Sequence, residues 1–166
     1  MIIVADTTPI TYLAAIGHLD LLYDLYGPIV VPQAVYDEIV FGGGGNNPGS
    51  VELQTAAWIS VAQPDPHRVR QLLRSYNRLD RGEAEAITLA EAFSTTDVTL
   101  LIIDEANGRV VANIVGLTIV GTIGVLREAK IAGFIPLLRP LLDALVRNGF
   151  YVSQRLYAQV LRSVGE

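Results

Sequence analysis

Five short runs of apolar, mostly β-branched residues recur along the chain and constrain its fold more than any other feature. They are IIVA, PIVVP, ISVA, TLLIID and LTIVGT, which begin at Ile2, Pro28, Ile59, Thr99 and Leu117. Such runs are typical of buried strands, and segments with apolar residues at helical spacing separate them. Because parallel strands need crossover connections, this alternation predicts an α/β fold with a mainly parallel sheet.

The length of the chain favours a single domain. A chain of 166 residues is long enough to bury a substantial core, and 51% of its residues are hydrophobic. We therefore predict one domain over residues 1–166. From about residue 134 onward the pattern is helical and interrupted by glycine and proline, so we expect a helical C-terminal extension there.

Charge, cysteine content and hydropathy exclude several classes of protein. The net charge of −5 argues against binding nucleic acid through bulk positive charge. The absence of cysteine excludes disulfides and thiolate chemistry. No apolar stretch reaches the roughly 20 residues needed to cross a bilayer, and no secretory signal opens the chain. The expectation is a cytoplasmic protein without membrane contact.

Four acidic residues occur at corresponding points of this strand and helix pattern. Asp6 follows the first strand, Glu38 lies in a short helix after the second, Glu83 lies at a helix start, and Asp104 follows the fourth strand. Sites in open parallel sheets form beyond the carboxyl ends of the strands, where the winding direction switches. If the first and fourth strands are neighbours, Asp6 and Asp104 meet at that point.

Each acid also has an ordinary structural interpretation. Asp6 is a candidate helix cap, and Glu38 is a candidate solvated residue on an amphipathic helix. Asp80 and Glu83 have the D-x-x-E spacing of a capping box. Asp104 follows an apolar run, where an unpaired charge is costly, so either Arg109 or a cation is expected beside it.

Taken together, the four carboxylates favour a site for a hard divalent cation. Oxygen-rich sites without histidine or cysteine suit Mg²⁺ or Mn²⁺, and such an ion can activate water for attack on a phosphodiester. His18 and His67 lack the partner spacing of a zinc site. The glycines from Gly42 to Gly45 are followed by no lysine and are predicted to form a flexible loop, not a phosphate-binding loop.

The ordered set of motifs resembles that of PIN-domain proteins, in particular the VapC-like toxins of toxin–antitoxin pairs. The matching stretches are VADTTPI, VPQAVYDEIV, LDRGEAEAITLA and LLIIDEANGRVVA, which contain Asp6, Glu38, Glu83 and Asp104. The similarity extends over nearly the whole chain, including GTIGVLREAKIAG.

This resemblance implies a three-layer α/β/α sandwich and a metal-dependent endoribonuclease. It implies that Mg²⁺ or Mn²⁺ is held by Asp6, Glu38, Glu83 and Asp104, with help from the hydroxyl of Thr8. It also implies an RNA substrate, a cognate antitoxin and a homodimer. Asp80 and Glu105 are candidates for supporting roles near the metal, and Arg109 is a candidate to orient Asp104 or to contact RNA.

Two other functions are compatible with parts of the pattern. A catalytically silent PIN-like module could bind a basic partner segment in its acidic cleft, which would suit the negative net charge and the single lysine, Lys130. A phosphate-accepting role for Asp6 is disfavoured, because Asp6 has no neighbouring acid and no lysine follows the last strand.

Overall fold

A computed structural model describes residues 1–166, the whole chain, and contains one five-stranded parallel sheet. The strands are β1 (Ile2–Ala5), β2 (Ile29–Pro32), β3 (Ile59–Ala62), β4 (Thr99–Ile102) and β5 (Thr118–Val120). Their order across the sheet is β3-β2-β1-β4-β5, and every neighbouring pair is parallel. The predicted α/β class is confirmed, and β1 and β4 are neighbours at the switch point.

Ten α-helices connect and flank the strands. They are α1 (Thr7–Ala15), α2 (Leu21–Tyr26), α3 (Gln33–Phe41), α4 (Ser50–Thr55), α5 (Pro66–Ser75), α6 (Arg81–Ser94), α7 (Ala106–Ile114), α8 (Thr122–Ile131), α9 (Arg139–Arg147) and α10 (Gln154–Ser163). None of them is long and apolar enough to cross a membrane.

The helices form two layers, one on each face of the sheet, and each layer closes its own apolar core. On one face, helices α5, α6 and α7 pack against β1 and β4 through residues such as Ile87, Leu101 and Val111. On the other face, α1, α2, α8, α9 and α10 share a larger core that includes Leu126 and Leu142. The fold is therefore a three-layer α/β/α sandwich, and the helices after residue 134 belong to its larger core.

The glycine-rich segment after α3 is more ordered than its composition predicts. Gly42–Gly44 forms one turn of 3₁₀-helix. The Asn47 side chain donates from Nδ2 to the carbonyl oxygens of Gly42, at 2.7 Å, and Ile39, at 3.1 Å. The segment thus satisfies carbonyl groups at the end of α3 through a neighbouring amide, where the sequence predicts only a flexible loop.

The register of β1 and β4 decides which way the residues beyond their ends point. Val4 is opposite Leu101 and Ala5 is opposite Ile102, so Asp6 is level with Ile103. Side chains alternate between the two faces of a sheet, and paired residues of neighbouring parallel strands share a face. Asp6 therefore lies on the α6 face, whereas Asp104, one residue further along, lies on the opposite face.

Candidate active site

A pocket lined only by polar residues opens at the carboxyl edge of the sheet, above the junction of β1 and β4. Its volume is about 350 Å³. Its lining residues are Asp6, Thr7, Thr8, Glu38, Arg78, Asp80, Glu83, Glu105 and Asn107. Five of these are carboxylates and one is a cation, so the pocket concentrates negative charge at the edge where parallel sheets form their sites.

Asp6 is the buried centre of this acidic pocket. Its side chain follows β1 directly, and the residue is only 3% exposed. Burial raises the pKa of the Asp6 carboxyl, a hydrogen bond from the Thr7 backbone lowers it, and the charges of Asp80, Glu83 and Glu38 add to the rise, with a net value of about 8. The metal-free carboxyl is therefore largely protonated at neutral pH, because burial disfavours its charged form.

Glu83 combines a structural role with a place in the pocket. Its Oε2 accepts the backbone N–H of Asp80 at 3.0 Å, while Asp80 Oδ1 accepts the backbone N–H of Glu83 at 2.8 Å. This is the capping box that the sequence predicts, and it starts α6. Burial, together with the charges of Asp80 and Glu105, raises the pKa of Glu83. The cap fixes the carboxylate at the pocket wall.

Glu38 enters the pocket from α3 and is exposed at its mouth. The Thr7 hydroxyl donates to Glu38 Oε2 at 2.8 Å, which ties the side chain to the start of α1. One turn earlier on α3, the backbone N–H of Ala34 donates to the buried carboxylate of Glu85 on α6, at 2.8 Å. Two hydrogen bonds thus set the position of Glu38, one at its side chain and one through its helix.

Gly82 lets three of these carboxylates approach one another. A Cβ atom at Gly82 would lie 3.5 Å from Asp6 Oδ1, 3.5 Å from Asp80 Oδ1 and 3.6 Å from Glu38 Oε2. The three oxygens therefore surround one point on the first turn of α6. With glycine at this position, that point stays open to water or to an ion.

The substitution Gly82→Ala should change the acidic pocket while leaving the fold intact. The added methyl would make ordinary contacts and favour the helix, so we expect the melting temperature to stay within a few degrees of the wild type or to rise. Because the methyl fills the space between the three oxygens, we expect Mn²⁺ affinity to fall roughly tenfold. Titration followed by electron paramagnetic resonance measures this, with Gly42→Ala, outside the pocket, as the control.

Asp104 points away from the acidic pocket, as its strand register requires. Its Oδ1 accepts the backbone N–H of Thr122 at 2.8 Å, and its Oδ2 accepts the Thr122 hydroxyl at 2.6 Å. The carboxylate therefore holds the first turn of α8. Burial raises the pKa of Asp104, and its charged neighbours are Arg109 and Glu105, not Asp6 or Glu83. Its predicted role as a metal ligand stays a prediction.

The remaining predicted residues are distributed unevenly around the pocket. Thr8 lines it, and so do Asp80 and Glu105. Arg109 donates to the carbonyl oxygen of Ile103 at 2.9 Å and forms no ion pair with Asp104 within 4.0 Å. The Arg109 side chain thus stabilises the backbone directly after β4.

Sequence reasoning missed three residues of the pocket: Thr7, Arg78 and Asn107. Thr7 stands beside the predicted Thr8 and carries the hydrogen bond to Glu38. Arg78 lies exposed in the connection before α6, and its guanidinium forms no ion pair with another residue. Thr7 and Asn107 lie within VADTTPI and LLIIDEANGRVVA, and Arg78 directly precedes LDRGEAEAITLA. No local pattern separates the side chains of Arg78 and Asn107 from those of ordinary surface residues.

The pocket fits a hard divalent cation by the chemistry of its donors. Carboxylate and hydroxyl oxygens are the ligands that Mg²⁺ and Mn²⁺ prefer, and a cation would offset the burial and the neighbouring negative charges that raise the pKa of Asp6. The side chains are not drawn into a closed coordination shell: no group of three or more acidic or histidine side chains is arranged to hold a metal. Any binding would therefore draw the carboxylates inward.

Comparison with known proteins adds one finding. A family model described as PIN domain matches residues 2–166, from the start of β1 to the end of the chain. No curated protein and no solved structure gave a significant match. The matched range includes every residue that lines the acidic pocket.

Proposed function

The chain belongs to the PIN-domain family, whose fold is of the nuclease type, and from this we propose that it is a metal-dependent endoribonuclease. We propose further that it is the VapC-like toxin of a toxin–antitoxin pair. The observation that carries the nuclease proposal is the acidic pocket: Asp6, Glu38 and Glu83 come from three separate segments and line one cavity at the carboxyl edge of the sheet.

In this proposal Asp6, Glu38 and Glu83 hold Mg²⁺ or Mn²⁺, the expected cofactor. The ion would lower the pKa of water and stabilise negative charge on a phosphodiester. The protein's own contribution is to hold the carboxylates in place: the capping box fixes Glu83, and the Thr7 hydroxyl fixes Glu38. Asp6 must release its proton before it can bind the cation, since its pKa is about 8.

The non-acidic residues of the pocket suit an RNA substrate. Arg78 is the only cation among the lining residues, and its guanidinium is free to contact a phosphate. Asn107 offers an amide donor and acceptor. A phosphate that approaches five carboxylates needs positive charge nearby, which Arg78 and the cation would supply together.

The proposed partners are a cognate antitoxin and a second copy of the chain. Exposed apolar side chains on α7 support a surface that a partner covers. Val110 is 58% exposed and Ile114 is 62% exposed, and the same helix contributes Asn107 to the pocket. Exposed apolar groups of this kind suit protein contact. A protein that binds this chain and inhibits its RNA cleavage would identify the partner as an antitoxin.

The decisive experiment measures cleavage of a fluorescently labelled single-stranded RNA by purified protein. We expect cleavage with millimolar Mn²⁺ or Mg²⁺, and none with EDTA, with activity restored when the metal is returned in excess. Co-purification of activity and protein through two unrelated columns excludes a contaminating nuclease. No cleavage, no Mn²⁺ binding and tight binding of a basic peptide would instead support the silent binding module.

A further inference from the structure

A second cavity adjoins the acidic pocket and shares a wall with it. Its volume is about 360 Å³, which lies within the range of small-ligand sites, and Thr7 and Glu38 line both cavities. Beyond that wall its lining carries no charge, and its polar side chains are Thr11, Tyr12, Asn47 and Asn148. We refer to this cavity as the neutral pocket. A ligand seated in the acidic pocket could extend into it across the shared wall.

Packing between distant segments fixes the walls of the neutral pocket. A Cβ atom at Gly49 would lie 2.9 Å from Cγ2 of Ile10, so the segment that carries Asn47 packs directly on α1. The ring of Tyr12 meets that of Phe150 edge to face, with 5.0 Å between the centroids, which joins α1 to the segment after α9. The neutral pocket is therefore a preformed cavity that does not need a ligand to assemble it.

The two asparagines of the neutral pocket offer their side-chain oxygens to a ligand. Asn47 donates from Nδ2 to the carbonyl oxygens of Gly42 and Ile39, and Asn148 donates from Nδ2 to the carbonyl oxygen of Ala144 at 2.8 Å. A carbonyl oxygen only accepts, so these bonds fix which end of each amide carries the nitrogen. Oδ1 is then the atom that each side chain has left for a ligand, and it is an acceptor.

The hydroxyl groups of the neutral pocket add to this pattern. Thr11 Oγ1 lies 3.2 Å from the carbonyl oxygens of Thr7 and Thr8, to which it donates, so toward a ligand it is an acceptor as well. The Tyr12 hydroxyl can donate or accept. A Cβ atom at Gly149 would lie 3.8 Å from that hydroxyl, so it stands close to the backbone beside Asn148. The neutral pocket thus offers mainly acceptors and favours a ligand that donates.

A nucleobase with an exocyclic amino group matches this set of acceptors. Adenine, cytosine and guanine carry such a donor, whereas uracil presents a carbonyl oxygen and would place acceptor against acceptor. Bases of single-stranded RNA can turn out of the stack and pair through their edges with protein groups. The only charged residue of the lining, Glu38, would repel a phosphate.

We infer that the neutral pocket binds one base of the RNA substrate, a base with an amino group, next to the phosphate that the acidic pocket receives. This inference rests on the proposed ribonuclease function and adds a base-recognition site to it. Asn148 and Tyr12 are specificity-determining residues in this assignment, and neither belongs to the carboxylates proposed to hold the cation.

Cleavage of a random single-stranded RNA library, followed by sequencing of the new ends, measures base preference directly. At one position beside the cut we expect adenine, cytosine or guanine to be preferred over uracil by roughly tenfold. Asn148→Ala should reduce that preference to less than about threefold, because it removes an acceptor. The matched control is Asn113→Ala, the same change at an exposed position near the end of α7, which should keep the preference.

A second variant tests the hydroxyl without disturbing the packing. Tyr12→Phe keeps the ring against Phe150, so we expect an unchanged melting temperature together with a reduced base preference. Its control is Tyr151→Phe, which makes the same change at a residue that is 86% exposed and outside the neutral pocket.

Binding of free nucleosides tests the neutral pocket without cleavage. Adenosine, cytidine and uridine carry no phosphate and need no metal, so they are titrated into ¹⁵N-labelled protein in EDTA. We expect saturable shifts of the side-chain amide resonances of Asn47 and Asn148 with adenosine or cytidine, and binding of uridine that is roughly tenfold weaker.

The outcomes separate this inference from the proposed function. If the wild type cleaves no RNA but the nucleosides bind in the expected order, the ribonuclease function fails and the base-binding assignment stands. If the wild type cleaves RNA without a base preference, or with one that Asn148→Ala and Tyr12→Phe leave unchanged, the base-binding assignment is overturned and the nuclease function stands. Resonance shifts caused by a basic peptide and by no nucleoside would assign the neutral pocket to a protein partner instead.

Discussion

Asp6→Asn is expected to reduce metal-dependent RNA cleavage by roughly a thousandfold, the largest effect of any single substitution in this chain. Asp6 is the most buried of the pocket carboxylates, and its neighbours Glu38 and Glu83 come from different elements. Asparagine keeps the shape but carries no charge. The cation would lose its central anionic ligand at a position where water cannot replace it.

The measurement is the initial rate of cleavage of one labelled RNA at saturating Mn²⁺. Asp97→Asn is the control, because it makes the same chemical change at an exposed position before β4, away from the pocket. Thermal unfolding in EDTA establishes that both variants are folded. Cleavage by Asp6→Asn at the wild-type rate would refute the proposed site.

Metal-free protein should lose stability as the pH rises from about 4 to about 8, and Asp6→Asn should remove much of this loss. Folded Asp6 keeps its proton up to a pKa of about 8, whereas the unfolded carboxyl loses it near its ordinary value of 3.8. Between these values the folded state holds more protons, so the free energy of unfolding falls with rising pH. The raised pKa values of Glu83 and Asp104 act in the same direction.

Each bound proton changes the free energy of unfolding by about 1.4 kcal/mol per pH unit, so the wild type should be roughly 4 kcal/mol less stable at pH 8 than at pH 5. Urea unfolding in EDTA at both pH values measures the difference. For Asp6→Asn we expect a clearly smaller difference, with stability above the wild type at pH 8. Parallel pH curves for the two proteins would contradict the burial of an ionisable Asp6.

Much of the fold follows from local sequence. Strand β1 and strand β3 begin and end where their apolar runs predict, because short β-branched runs bounded by polar or proline residues have few alternatives. The capping box at Asp80 and Glu83 also follows from spacing alone. These features depend on neighbours within one or two turns.

The composition of the pocket follows from sequence only in part. Asp6, Glu38, Glu83 and Thr8 line it as expected. The direction of Asp104 could not be predicted, because it depends on the pairing of Ala5 with Ile102, and no residue near Asp104 encodes that register. For the same reason, the sequence identifies Glu105 only as a candidate for a supporting role.

Helix α3 begins after Pro32, a residue without a side-chain acceptor, and Glu85 of α6 supplies the missing acceptor to Ala34. A side chain of α6 therefore caps the first turn of α3. Detaching α3 would leave the Ala34 N–H group without its acceptor and would remove one of the two hydrogen bonds to the buried Glu85 carboxylate, the other coming from Arg81. This hydrogen bond links the helix that carries Glu38 to the helix that carries Glu83, so the two walls of the cavity support each other.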